Sequence, residues 1–440
     1  MSAAAAAELE RQDSPGADGE TGLPRLLAGL GEDGWPVPLS RHRHLYPAPP
    51  RLGRRHDDLL VAVERSGLTG RGGAGFPTGR KMRAVSAGRR RPVVVVNGSE
   101  GEPTSRKDTL LLRAAPHLVL DGAVLAAAAI GTREVVVAVD RKATKALQSL
   151  EWAVGQRRSA EPGPSVRVVA LPHRYVAGEE SALVHWINGG PAKPTLTPPR
   201  PFESGVDARP TLVDNVETLA HVAQVVRWGP DWFREVGTAA EPGTMLVTMS
   251  GAIDRPGVYE VPLGGRLSEV VRAAGGSPSR MEAVLIGGYF GSWLDGAKAR
   301  RARLSNEHLR PLGSGLGCGA IVVLPQEACG LHETARILDW LAGETAGQCG
   351  SCVHGLAAIA GATAAVSRGA GSDATVESLH RWATQIEGRG ACRFPDGAVR
   401  LLRSALNVIG DDVERHLRGE ACATGPSVLP IPTTKGQPWR

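Results

Sequence analysis

Two cysteines, Cys349 and Cys352 in ETAGQCGSCVHG, stand at the spacing with which one turn of chain brings two thiolates onto one metal site. A third cysteine one step upstream would complete an iron–sulfur ligand run, but that position is Ala346. Cys392, in RGACRFPDG, follows at longer range. A second group of residues suits anion binding. GRGGAGFPTGRK, residues 70–81, places four glycines in six positions. Such backbone can take positive φ and approach a ligand closely. Its successive N–H groups make an anion nest that a following helix would reinforce. Lys81 sits where it could close on a phosphate or an electron-rich ring. NGSEGEP, residues 97–103, puts Asn97, Ser99, Glu100 and Glu102 at the end of a strand, where α/β sheets bind ligands. YVAGEESAL (175–183) adds Gly178 and the helix-opening carboxylates Glu179 and Glu180. PTLVDNVETL (210–219) adds Asp214 and Asn215.

The elements that must carry these residues are visible as patterns. PVVVVNG (92–98), EVVVAVD (134–140) and SVRVVALP (165–172) are short apolar runs, which read as strands of a buried parallel sheet. HLVLDGAVLAAAAIG (117–131) reads as the crossover helix, and residues 57–66 as an earlier one. The alternation predicts a doubly wound α/β domain over 56–236. From 237 to 327, short strands flank Gly and Pro turns, with one helix starting near Leu267. From 328 to 420, apolar residues recur at helical spacing and predict three to four packed helices. Residues 1–55 read as a disordered lead and an extended arm, and 421–440 as a loose tail.

Composition narrows the classes further. The net charge of +6 is dispersed, with no basic block interleaved with aromatics, so no nucleic-acid partner is expected. Six cysteines in 440 residues do not suggest a disulfide scaffold. No apolar run approaches the ~20 residues that span a bilayer, and the start is not a signal peptide. The expectation is a cytoplasmic protein without direct membrane insertion.

In order along the chain, the four polar motifs resemble GRGGAGFPTGxKW, NADEGEP, YxCGEETAL and PTxVNNVETL. These are the patterns of the flavoprotein (51 kDa-type) subunit of respiratory complex I and of NAD-linked hydrogenases and formate dehydrogenases. Residues 237–327 resemble a β-grasp, ubiquitin-like domain of the soluble-ligand-binding (SLBB) type. The resemblance implies an α/β FMN-binding domain, then that β-grasp domain, then a helical iron–sulfur bundle. It implies hydride transfer from NADH to FMN and single electrons onward to a cluster, with an iron–sulfur partner subunit or a ferredoxin receiving them. Carried over by motif, Gly70, Arg71, Gly72, Gly73 and Lys81 would lie along the flavin and its phosphate. Asn97, Ser99, Glu100, Gly178, Glu179, Glu180, Asp214 and Asn215 would complete that site. Phe76, Glu102 and Tyr175 would face NAD(H), with Glu102 and Glu180 as the candidate catalytic residues. Cys349, Cys352 and Cys392 would hold a 4Fe-4S or 3Fe-4S cluster.

The chain departs from those patterns in clusters. Ser99 and Asp214 stand for an Asp and an Asn, and Pro172–His173–Arg174 for GAG. In TLTPPRPF (195–202), Thr197 replaces a Lys and Arg200 an aromatic. Ala84 stands where a Phe is expected. Aromatic faces hold a base by stacking at ~1–3 kcal/mol each, so the NADH site reads as weakened. The cluster site is one thiolate short at Ala346, and spacing assigns the gap to none of His354, Cys329 or Cys422. Two alternatives stay open: a non-catalytic structural or ligand-binding relative, and an FMN protein reduced by a ferredoxin-like partner.

Overall fold

The valine run that opens the first domain forms β1 (Val93–Gly98), with Val93 to Val96 buried from both sides by flanking helices, as a central parallel strand requires. This is a computed structural model, and it describes residues 23–31, 34–47, 56–160, 163–420, 427–433 and 439.

Around β1 lie β2 (Glu134–Asp140), β3 (Ser165–Leu171) and β4 (Thr211–Asn215), all parallel, in the order β3-β2-β1-β4. The helices of seven residues or more in the arm and this domain, in chain order, are α1 (Leu39–Leu45), α2 (His56–Ser66), α3 (Thr78–Ser86), α4 (Lys107–Ala114), α5 (Pro116–Ala129), α6 (Thr144–Ala160), α7 (Glu180–Ile187) and α8 (Val216–Trp228). The expected crossover is α5, which packs along α8 on one face of the sheet. β4 is an added strand: the motif read only for its polar residues is itself paired with β1 from Val93↔Thr211 to Asn97↔Asn215. The chain leaves β1 toward β2 on one side and returns through β4 on the other. The carboxyl ends of β1 and β4 therefore flank a topological switch point, where open α/β sheets bind ligands.

The second domain is a mixed five-stranded sheet, ordered β6-β5-β9-β7-β8, of β5 (Thr244–Gly251), β6 (Gly257–Pro262), β7 (Met281–Ile286), β8 (Ser292–Asp295) and β9 (Ala320–Pro325). Helix α9 (Leu267–Ala273) buries Leu267 and Val270 against it. Strands β5 and β9 are parallel and central, as the β-grasp reading requires.

The third domain is helical: α10 (Gly330–Glu344), a π-helical stretch Ser351–Leu356, α11 (Ala357–Ser367), α12 (Asp373–Ile386), α13 (Phe394–Val408) and α14 (Gly410–Leu417). That is five helices against the three to four expected. The alanine-rich α11 lacks a bulky stripe, and the apolar period runs across the break between α13 and α14 without a gap.

The two ends need correction where they are described. Within 23–47 the chain is a packed arm. Helix α1 lies on α5 and α6, and His42 Nε2 is 2.8 Å from Asp121, which also binds Arg157 and Arg227. Within 421–440, residues 427–433 are seated on the bundle: Leu429 is buried and the Val428 N–H donates to Glu333. The tail is not loose there; Cys422 lies outside the described residues. Among the described residues no single helix is long and apolar enough to cross a membrane; α4 and α5 pass together by composition but are bent by 96°.

Candidate functional site

The glycine loop folds as a tight excursion between Thr69 and Pro77, closed by the Gly70 N–H donating to the Phe76 carbonyl at 2.9 Å. Its middle lies over the end of β4. A Cβ at Gly72 would stand 3.2 Å from Asn215 Cβ, and Gly73 has φ +110°. Neither position tolerates a side chain without displacing the loop. Phe76 is exposed, with the Arg80 guanidinium 5.8 Å above its ring.

Three charged groups meet beside the loop. Lys81 Nζ donates to the Val213 carbonyl at 2.5 Å and stands 3.7 Å from a Glu180 carboxylate oxygen. Asp214, next in β4, is buried, and its Oδ2 has no hydrogen-bond partner. Burial, with the Glu180 charge adding and Lys81 opposing, pushes Asp214 up to about 6. A carboxyl whose folded pKa lies above its unfolded value stabilises the fold at low pH and loses that contribution as pH rises through about 6. The rise from 3.8 to about 6 corresponds to ~3 kcal/mol at ~1.36 kcal/mol per unit. Asp214→Asn should therefore melt higher than the parent above pH 6 and converge with it below pH 4, as differential scanning fluorimetry across pH would show.

The other predicted residues divide by what their side chains touch. Asn97 donates to the Gly178 carbonyl at 2.8 Å and accepts from the Ser99 N–H, so it joins β1 to the turn before α7. Ser99 packs against Gly178, where a Cβ would meet its hydroxyl at 3.0 Å. Asn215 caps α8 and donates to Asp108 at 2.7 Å. Glu100 and Glu179 are helix caps. Glu100 accepts from the N–H groups of Asp108 and Thr109, and Glu179 from those of Ser181 and Ala182. Two expectations need correction. The Arg71 guanidinium turns away from the crevice and donates to the carbonyls of Thr69 and Thr244, so it joins the loop to the β-grasp domain. Glu102, expected to be catalytic, is buried and saturated. It accepts from Thr104 twice, from the Tyr289 N–H at 2.8 Å and from the Tyr175 hydroxyl at 3.0 Å. Burial raises its pKa against those four donors. It holds Tyr175, whose ring packs edge-on against Phe290, Trp340 and Phe394.

Sequence reasoning missed the charge beneath the site. Lys107 is buried, 2.8 Å from Asp108 and 2.9 Å from Glu217, with Asn215 Oδ1 at 3.4 Å. The signal was present as a Lys–Asp pair opening the helix that follows the NGSEGEP turn and an acid in the first turn of α8. Cys318 is half-buried, beside the glycine loop. Its thiol lies 3.6 Å from the Gly287 carbonyl.

The cysteines lie at one end of the helical bundle. Cys352 is buried within the π-helical stretch, a distortion often found at functional sites. Cys349 and Cys392 are partly buried against the same core as Cys352. Burial, then Cys349, then Cys392 push Cys352 up to about 12. Against burial, the N–H of Ala391 and those of Cys352 and Ser351 hold Cys349 below its ordinary value. Cys329 is elsewhere, capping α10 and 3.4 Å from His416, and His354 is exposed. Among the described residues no three His, Cys, Asp or Glu side chains surround one ion.

Known proteins share this arrangement. Family models described as the Nuo51 FMN-binding domain, the SLBB domain and the NADH-ubiquinone oxidoreductase-F iron-sulfur binding region match residues 63–224, 246–286 and 332–416. The NADH-quinone oxidoreductase F subunit of Streptomyces coelicolor is 32% identical over 426 residues, 92% of this chain and 93% of that one. The chain belongs to the family of NADH-quinone oxidoreductase F subunits. The F 2 subunit of the Rhizobium meliloti enzyme is 31% identical over 83% of this chain and 90% of its own. A chain of an NAD+-reducing NiFe hydrogenase in the H2-reduced state superposes with a TM-score of 0.79 at 29% identity, covering 87% of this chain and 67% of that one.

The crevice of this chain fits FMN on its own geometry. The loop over β4 has no side chain at Gly72 or Gly73, Lys81 supplies a cation at its edge, and Asp214 Oδ2 is an orphaned polar atom beside it. The bundle end, within the stretch matched by the iron-sulfur binding region, packs Cys349, Cys352 and Cys392 against one core, the three thiols that would hold a cluster there. The fourth family position, Ala346, is buried and offers only its backbone.

Proposed function

We propose that this chain is an FMN-dependent NADH dehydrogenase-type subunit that takes electrons from NADH at the β1/β4 crevice and passes them to a cluster on Cys349, Cys352 and Cys392. The observation that carries this reading is the joint one: a loop with glycine at 72 and 73 over a switch-point crevice, and Cys349, Cys352 and Cys392 packed against one core of the bundle. Bound FMN supplies two-electron acceptance and one-electron release, chemistry that belongs to the cofactor. The residues of this chain bind and orient. The loop N–H groups from Gly70 to Gly75 and Lys81 would hold the phosphate and ring edge. Asn97 and Gly178 keep the turn at the end of β1 closed over the crevice. Glu102 holds the Tyr175 hydroxyl, making it a positioning residue. Glu180, a third exposed at its side chain and paired at a distance with Lys81, is the carboxylate left facing the opening. Electrons leaving the cluster would pass to an iron–sulfur partner subunit or a ferredoxin; the relatives are themselves named as subunits.

The nicotinamide nucleotide has a thinner hold. Thr197, Arg200 and Ala84 are all exposed and none offers an aromatic face; Phe76, exposed on the glycine loop, does. Two lost stacking contacts of ~1–3 kcal/mol each weaken binding about thirtyfold or more. Steady-state NADH oxidation with ferricyanide should therefore show a millimolar KM. A micromolar KM would mean that Arg200 or another group restores the nucleotide site.

A further inference from the structure

The backbone at Ala346 is clamped. Lys193 Nζ donates to the Ala346 carbonyl at 2.8 Å, and Gln348, two residues on, donates to the Pro194 carbonyl at 3.2 Å. Lys193 is itself seated by Trp439, whose ring lies 4.9 Å from the ammonium and 4.2 Å from the Arg174 guanidinium. The Ala192 N–H donates to the Trp439 carbonyl at 3.0 Å, which fixes the tail to the same segment. A cation between an aromatic face and a carbonyl is held on both sides. On the far side, Arg174 pairs with Glu344 at 3.5 Å, and Glu344 also accepts from the Tyr175 N–H at 2.9 Å. The residue in the position of the absent ligand is thus gripped by a charged side chain from the FMN domain.

We infer that Lys193, seated by Trp439, is a positioning residue that replaces the missing fourth thiolate mechanically. It pins the loop at residue 346 so that Cys349, Cys352 and Cys392 keep their geometry with one bond fewer to the metal. In a four-thiolate site the iron itself tethers this point of the loop; here a hydrogen bond from Lys193 does so. The inference rests on the cluster reading above.

The test compares Lys193→Met, Lys193→Arg and Trp439→Ala in the full-length chain, each with and without Ala346→Cys, after anaerobic iron and sulfide reconstitution. Iron loss in air, the EPR line shape and flavin content are followed. Lys193→Met and Trp439→Ala should lose iron about tenfold faster than the parent, the scale of ~1.4 kcal/mol. Lys193→Arg, which keeps a donor, should recover most of the difference. With Ala346→Cys present, the variants should become alike, because a fourth thiolate makes the clamp redundant. Flavin content should stay at the parent level throughout. Equal iron loss in parent and variants overturns the inference and leaves the cluster reading standing. An equal acceleration with Ala346→Cys present, or a parallel loss of flavin, overturns it by showing a general structural role. A parent that takes up no iron overturns both.

Discussion

Replacing Lys107 by alanine is expected to destabilise the α/β domain by ~3–5 kcal/mol, the usual cost of leaving buried charges without their partner. The ammonium is 2.8 Å from Asp108 and 2.9 Å from Glu217, and all three groups are shielded from water. The ion pairs keep Lys107 protonated despite its burial, which alone would lower its pKa. Against burial, Lys107 and His221 hold Glu217 down to about 2. A carboxyl with a depressed pKa contributes stability above its unfolded value of 4.5 and loses it as pH falls through about 2. The deficit of Lys107→Ala should therefore be largest near neutral pH and shrink below about pH 4, where the stranded carboxylates take up protons. Thermal unfolding of the variant at several pH values, followed by circular dichroism, measures this directly. Lys107→Ala melting with the parent at pH 7 would show that the network is not a structural keystone. The expected defect is local: α8 starts over this network at Asn215, so the floor of the crevice should loosen first.

Lys81→Ala should weaken flavin binding by about ten- to a hundredfold, the range of one charge-assisted hydrogen bond of ~1.5–3 kcal/mol. Removing the ammonium has two effects. It takes away the cation at the edge of the loop. It also leaves Glu180 and Asp214 facing the crevice without a counter-charge, which repels a phosphate. Lys81→Arg should retain part of the affinity. Fluorescence titration of the apoprotein with FMN gives the dissociation constants. An unchanged constant for Lys81→Ala would remove the phosphate-side role assigned to this residue.

Much of the frame was legible because its physics is local. Strands β1 and β2 are continuous valine-rich runs, and such runs declare a strand buried on both faces; β3, read the same way, is the half-exposed edge strand of the sheet. β4 escaped because TLVDN is short and ends in polar residues that serve the site rather than the core. Helix α11 escaped because alanine gives no stripe to count. The polar motifs lie along the loop and strand ends of the crevice, but they could not show the direction of each side chain. Glu100 and Glu179 are absorbed by helix caps, and Arg71 points into the domain junction. Those outcomes depend on which backbone N–H groups a fold leaves unpaired, and spacing alone does not contain that information. The same holds for Trp439, whose ring reaches Arg174 and Lys193 from the far end of the chain.

The most direct test of the central claim is the flavin and iron content of the full-length chain purified without oxygen, with EPR after mild oxidation. The account predicts about one FMN per chain and three to four irons, with a three-iron signal on oxidation, as a site of three thiolates allows. A colourless protein that binds neither FMN nor iron after reconstitution would contradict it, and would leave the crevice and the three thiols as a fold without its chemistry.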